Sequence, residues 1–94
     1  MPSLVIRHKV QNYKNWKVAF DNHATARKGQ GCKGGKLYRS SQDPSEVVIV
    51  FEWDDLGKAK AFIQSDDLRE TMTNAGVIGA PEFSFLEESE SFPV

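Results

Sequence analysis

The chain is short of cysteine, of long apolar runs and of charge of one sign, and each shortage closes off a class of function. The single cysteine, Cys32, excludes an internal disulfide and any multi-cysteine metal site. No apolar run approaches the roughly 20 residues that span a bilayer, so no membrane segment is expected. Met1 to His8 lacks the longer apolar core and cleavage site of a secretory signal. Lysine and arginine number 12 against 13 aspartates and glutamates, a formal charge of -1. Nucleic-acid binders usually carry a basic excess, so no nucleic-acid partner is expected. Together these point to a cytoplasmic protein. Its 94 residues make one domain, 1–94, with 89–94 as a tail. A domain this small buries only about two-thirds of its unfolded surface, so pairing with a second copy would extend its core.

What is present is one concentrated apolar stretch, Glu46 to Trp53. It is β-branched and aromatic and too short for an ordinary helix. Val47, Ile49, Phe51 and Trp53 share one face of the strand, and Val48 and Val50 share the other. A strand apolar on both sides needs two covers. Ser3 to Val10 alternates in the same way, with Leu4, Ile6, His8 and Val10 on one face. Asn12 is placed to cap a helix running to about Lys28, with Tyr13, Trp16, Phe20, Ala24 and Arg27 on one stripe and Gly29 ending it. Gly29 to Gly35, with four glycines, reads as a loop, and Lys36 to Ser40 as a second strand. A turn at Ser41 to Ser45 then makes a hairpin with Glu46 to Trp53. A helix from Asp54 or Asp55 is interrupted at Ser65, which caps another closed by Gly76. Gly79-Ala80-Pro81 reads as a linker before a last strand, Glu82 to Glu88.

The order β-α-β-β-α-β is the ferredoxin-like plan of the α+β class: a four-stranded antiparallel sheet with its helices on one face. The other face is then bare and partly apolar, which marks an interaction surface. A second copy of the chain is the expected cover, giving a homodimer.

From here the chain resembles the dimeric α/β-barrel superfamily, in particular the antibiotic-biosynthesis-monooxygenase-like and cyclase-like proteins. The resemblance covers nearly the whole chain. It is carried by Phe51-Glu52-Trp53, a helix, and Phe62-Ile63-Gln64-Ser65-Asp66-Asp67-Leu68-Arg69. Relatives end this strand in tryptophan and place a His-x-x-Ser-Pro-like segment nine residues later; Trp53 and Ser65 match, and Phe62 stands at the histidine position. The likeness implies two sheets packed face to face across a two-fold axis, with a cavity between sheet and helices or inside the barrel. It also implies cofactor-free oxidation of aromatic polyketides or, in one branch, haem degradation. Phenylalanine cannot ligate iron, which argues against the haem branch here.

His8 is the candidate for proton transfer, because a buried imidazole near neutral pKa can exchange a proton with a phenol. Its alternative is a core histidine bonded to a backbone carbonyl, or one at the dimer seam. His23, beside the helix stripe, either lines a cavity or is a half-exposed structural residue. No third ligand accompanies the two histidines, so no metal site is expected. Trp53 and Phe62 are candidate cavity walls, and Trp16 with Trp53 can form a slot for an aromatic ring; core packing is the alternative for both tryptophans. Tyr38 either donates a hydrogen bond to a ligand or is an ordinary exposed strand tyrosine.

Lys28 to Lys36 lacks the GxxxxGK[ST] pattern and runs from helix to strand, the reverse of a phosphate loop. It reads as a flexible connection or lid with Cys32 exposed. The basic stretch Arg27 to Arg39 and the acidic stretch Glu82 to Glu90 are either solvated surface or matched across subunits. RNA-binding domains of the same topology display an aromatic ribonucleoprotein motif that Glu46 to Trp53 lacks. The leading reading is a homodimer that binds a small hydrophobic, aromatic molecule and acts on it as a monooxygenase or cyclase without a bound cofactor. The alternative is a non-catalytic homodimeric module that binds a ligand or partner.

Overall fold

A computed structural model describes residues 1–94. Four antiparallel strands form one sheet in the order β2-β3-β1-β4: β1 Ser3–Val10, β2 Cys32–Arg39, β3 Glu46–Trp53 and β4 Val77–Leu86. Four helical segments, α1 Tyr13–Asn22, α2 Ala24–Gln30, α3 Leu56–Ile63 and α4 Asp66–Asn74, complete a ferredoxin-like α+β domain. None of these helices is long and apolar enough to cross a membrane.

The alternation of β1 and β3 sets the two sides of the sheet. Leu4, Ile6, His8 and Val10 pack under the helices with Val47, Ile49, Phe51 and Trp53. Trp16, Ala59, Phe62 and Leu68 close the core from the helix layer. Val48 and Val50, on the open side, are half-buried within the chain itself. Helix starts follow from short polar side chains: Asn12, Asp55 and Ser65 each accept a backbone N–H from the first turn of α1, α3 and α4. Ser65 also donates its hydroxyl to the Phe62 carbonyl at 2.7 Å, which closes α3 as it opens α4.

The structure corrects several readings of the chain. The first helix breaks at His23, because the Phe20 carbonyl accepts from the Arg27 guanidinium at 2.7 Å and from the His23 N–H at 3.3 Å. Its second half ends at Gly31, not Gly29; Gly31 takes the left-handed φ of 116°. The glycine-rich stretch is no lid. From Cys32 onward it is the edge strand β2, and Gly35 lies so close to β3 that a Cβ there would run into the Val50 carbonyl. Cys32 is consequently buried, opposite Trp53. Gly79-Ala80-Pro81 likewise lies inside β4, as a bulge: Arg7 pairs with Glu82, but Lys9 pairs with Ile78. Strand β4 ends at Leu86 rather than Glu88.

Candidate functional site

The β4 bulge falls opposite His8. Arg7 and Lys9 have β4 partners in the register and His8 has none, while on its other side it pairs with Val47. Its ring points under the helices, 5.7 Å from Trp16 in an edge-on arrangement. His8 is only 6 % exposed, and neither Nδ1 nor Nε2 has a hydrogen-bond partner in the protein. Buried polar groups are normally satisfied, so two orphaned nitrogens on one ring make His8 a candidate for contact with a ligand. Burial pushes its pKa down from 6.5 to about 4, below the near-neutral value expected from the sequence. At neutral pH the ring is therefore uncharged and can accept a proton.

His8 opens onto a cavity of about 40 Å³ between the sheet and the helices. Ile6, Ile49 and Phe51 form its floor; Trp16, Phe20, His23 and Arg27 form one wall; Phe62, Leu68, Thr71, Met72 and Ala75 form the other. An aromatic chain runs through it, with Trp16 stacked on Phe20 at 5.0 Å and Phe51 edge-on to Phe62 at 6.1 Å. His23 reaches the same space from the α1–α2 break. Its Nε2 lies 2.6 Å from the Asp67 carboxylate at the start of α4, and its ring lies 6.2 Å from Phe62. Helix α1–α2 is thus tied to α4 across the cavity. The two histidines do line one space.

The other sequence candidates are placed differently. Phe62 is a cavity wall. Trp53 stands behind it, 5.0 Å away ring to ring and fully buried, and does not line the cavity. Its Nε1 is also without a partner. Tyr38 pairs with Val48 on the open face of the sheet, half-exposed and remote from the histidines.

Arg27, read from the sequence as the first residue of a basic stretch either solvated or matched across subunits, is instead turned inward, although a cation on an aromatic stripe was the available signal. It is buried, with its guanidinium 4.0 Å above the Phe20 ring and 5.8 Å from that of Phe51. Burial lowers its pKa against the opposing influence of Cys32 and Asp21. Phe20, Arg27, Ile49 and Phe51 also line an adjoining space of about 190 Å³ that extends to Cys32, Gly34, Gly35 and Lys36. The glycines supply no side chains to fill it.

This arrangement of strand, tryptophan, helix and capping serine extends to the family level: residues 14–74 match the profile of the antibiotic biosynthesis monooxygenases. The chain belongs to the antibiotic biosynthesis monooxygenase family. Its fold is shared with SnoaB, a cofactor-independent oxygenase from Streptomyces nogalater, at TM-score 0.78 and 16 % identity over 99 % of this chain and 97 % of that one. A candidate antibiotic biosynthesis monooxygenase from Bordetella bronchiseptica aligns at TM-score 0.79 and 18 % identity, covering 95 % and 97 % of the two chains. A third, from Caulobacter crescentus, aligns at 0.74 and 20 % identity over 95 % and 90 %. At these identities the likeness is one of fold. No curated protein matches the chain.

Proposed function

We propose that this member of the antibiotic biosynthesis monooxygenase family is a cytoplasmic homodimer that binds a small hydrophobic, aromatic molecule between sheet and helices. We propose further that it oxidises that molecule without a bound cofactor. The observation that carries this is His8: a neutral, buried imidazole with both nitrogens free, facing an aromatic-lined cavity. In this reading His8 takes a proton from a phenol or from an acidic ring C–H. The anion that remains stabilises the imidazolium beside it and raises the proton affinity of the ring. That electron-rich anion reacts with dioxygen. A methylene oxidised in this way becomes a carbonyl, one oxygen atom entering the product and the other leaving as water. Membership of the family and the shared fold with a cofactor-independent oxygenase support the reaction class.

As it stands the inner cavity has room for water, not for a ring system. Substrate entry in this reading displaces Phe20 toward the adjoining space. The small volume also favours a second reading, a binding module without turnover. Oxygen uptake with a panel of phenols and anthrones separates them. Turnover that falls about a hundredfold or more in His8→Ala supports the oxygenase; binding with no uptake supports the module, and unchanged turnover removes His8 from its role.

The dimer rests on the open face. Tyr38, Ile78 and Leu86 are each 50 % exposed there, around half-buried Val5, Val48 and Val50. Val50→Glu is expected to yield monomers in sedimentation. A wild-type chain that is already monomeric at high concentration would contradict the assembly.

A further inference from the structure

We propose that Arg27 is the receptor for a carboxylate on the ligand, so that this site takes an aromatic acid in preference to a neutral ring. The inference rests on the small-molecule reading above and narrows its substrate class. It begins from a missing counterion. Among the exposed cations, Arg7 pairs with Glu46 at 2.9 Å, Lys17 with Asp21 at 2.6 Å, and Arg69 with Asp66 at 3.2 Å, while Lys14, Lys28, Lys36, Arg39 and Lys60 have no carboxylate but are solvated. Arg27, the buried one at 9 % exposure, has none. A buried charge with no carboxylate in contact is costly, and the rings of Phe20 and Phe51 together with the more distant Asp21 offset that cost only in part.

The guanidinium also has capacity to spare. It carries five N–H donors. Its Nη1 caps α1 at the Phe20 carbonyl, and no other side-chain hydrogen bond is made. The remaining fork suits a planar carboxylate held by two parallel bonds.

The surroundings carry the same sign. Arg27 lines three adjoining spaces: the inner cavity with His8, the glycine-walled space with Lys36, and an outer one with Lys28 and Lys33. No aspartate or glutamate lines any of them, although the chain has 13. Lys33 is held by Asp54 at 3.2 Å, so Lys28 and Lys36 are the free cations of a route that runs from a basic mouth to an apolar interior, with Arg27 at the junction. Once the cavity has opened by movement of Phe20, an acid of one or two rings follows that order: its carboxylate on Arg27, its rings against Phe51 and Trp16, its reactive edge toward His8.

Isothermal titration with two probes of the same ring system, 1-hydroxy-2-naphthoate and 1-naphthol, tests this. The wild type is expected to bind the naphthoate about tenfold or more tighter. Arg27→Gln is expected to lose that preference while keeping its affinity for 1-naphthol, and Arg27→Lys to recover part of it. A residue that only caps α1 would weaken both probes alike. If Arg27→Gln melts too low to use, Arg27→Lys against wild type gives the same comparison. Equal binding of the two probes by the wild type, or a preference that survives in Arg27→Gln, overturns the carboxylate receptor and leaves the aromatic site standing. Binding of neither probe overturns both.

Discussion

The two faces of this sheet are cut from the same strands, yet they treat polar groups in opposite ways. On the open face, polar side chains have partners: Arg7 with Glu46 at 2.9 Å, Lys9 with Asp43 at 3.4 Å, and the Ser3 hydroxyl with Glu52 at 3.0 Å. Under the helices His8, Arg27 and the Trp53 Nε1 are buried, and all three are left short of partners. An unsatisfied buried group costs about 1–3 kcal/mol. A face designed only for stability would have a leucine in place of His8. The contrast teaches that the inner face gives up stability at a few points, two of which, His8 and Arg27, line the cavity, whereas the open face keeps its charges solvated or paired around an apolar strip.

The comparison can be broken most severely from inside. Phe62→Ala removes the ring that separates Trp53 from the cavity, and is expected to lower stability by about 3–5 kcal/mol in urea unfolding. A loss below about 1 kcal/mol would mean that the helix-side core is not where the fold is held.

The next largest effect is in pH. The folded pKa of His8 lies below its unfolded value, so the unfolded chain binds the extra proton first. Its contribution is complete above about pH 6.5 and is lost as the pH falls toward 4, by at most about 1.4 kcal/mol per pH unit. The slope is measured as the difference between wild type and His8→Leu over that window. His8→Leu itself is expected to be more stable than wild type by about 1–3 kcal/mol at pH 5 to 7, and inactive. A destabilised His8→Leu would show that the imidazole is satisfied after all.

The smallest effect belongs to the open face. Arg7→Ala is expected to cost less than about 1 kcal/mol in the same urea assay, because its pair with Glu46 is half-exposed. A loss as large as that of Phe62→Ala would erase the distinction between the faces.

How much of this was legible in the residues depends on what each element is made of. Strands β1 and β3 declare themselves, since every second side chain is apolar and the alternation runs from end to end. The caps at Asn12 and Ser65 are local chemistry and read as such. Strand β2 does not, because Gly34 and Gly35 have no side chains to alternate; its place is set by the ladder to β3. The β4 bulge hides behind Gly79 and Pro81, residues that usually mean a turn. The break at His23 is not signalled by a glycine or proline, since it comes from the Phe20 carbonyl, taken by the His23 N–H and by Arg27, whose side chain reaches back seven residues. The same long reach explains why the site was only half visible. His8, His23 and Phe62 stand where an apolar pattern flags them. The role of Arg27 depends on a carboxylate that the fold fails to supply, and no spacing in the sequence records that.

The central claim is that His8 is an uncharged, unpartnered base waiting for a ligand. Nitrogen-15 shifts of its ring, followed from pH 7 to pH 4 with and without 1-hydroxy-2-naphthoate, test this directly. The account expects a neutral imidazole down to about pH 4 in the free protein, and a displaced ring-nitrogen signal once the probe is bound. Protonation near pH 6.5, or a bound probe that leaves both nitrogens unmoved, would contradict it.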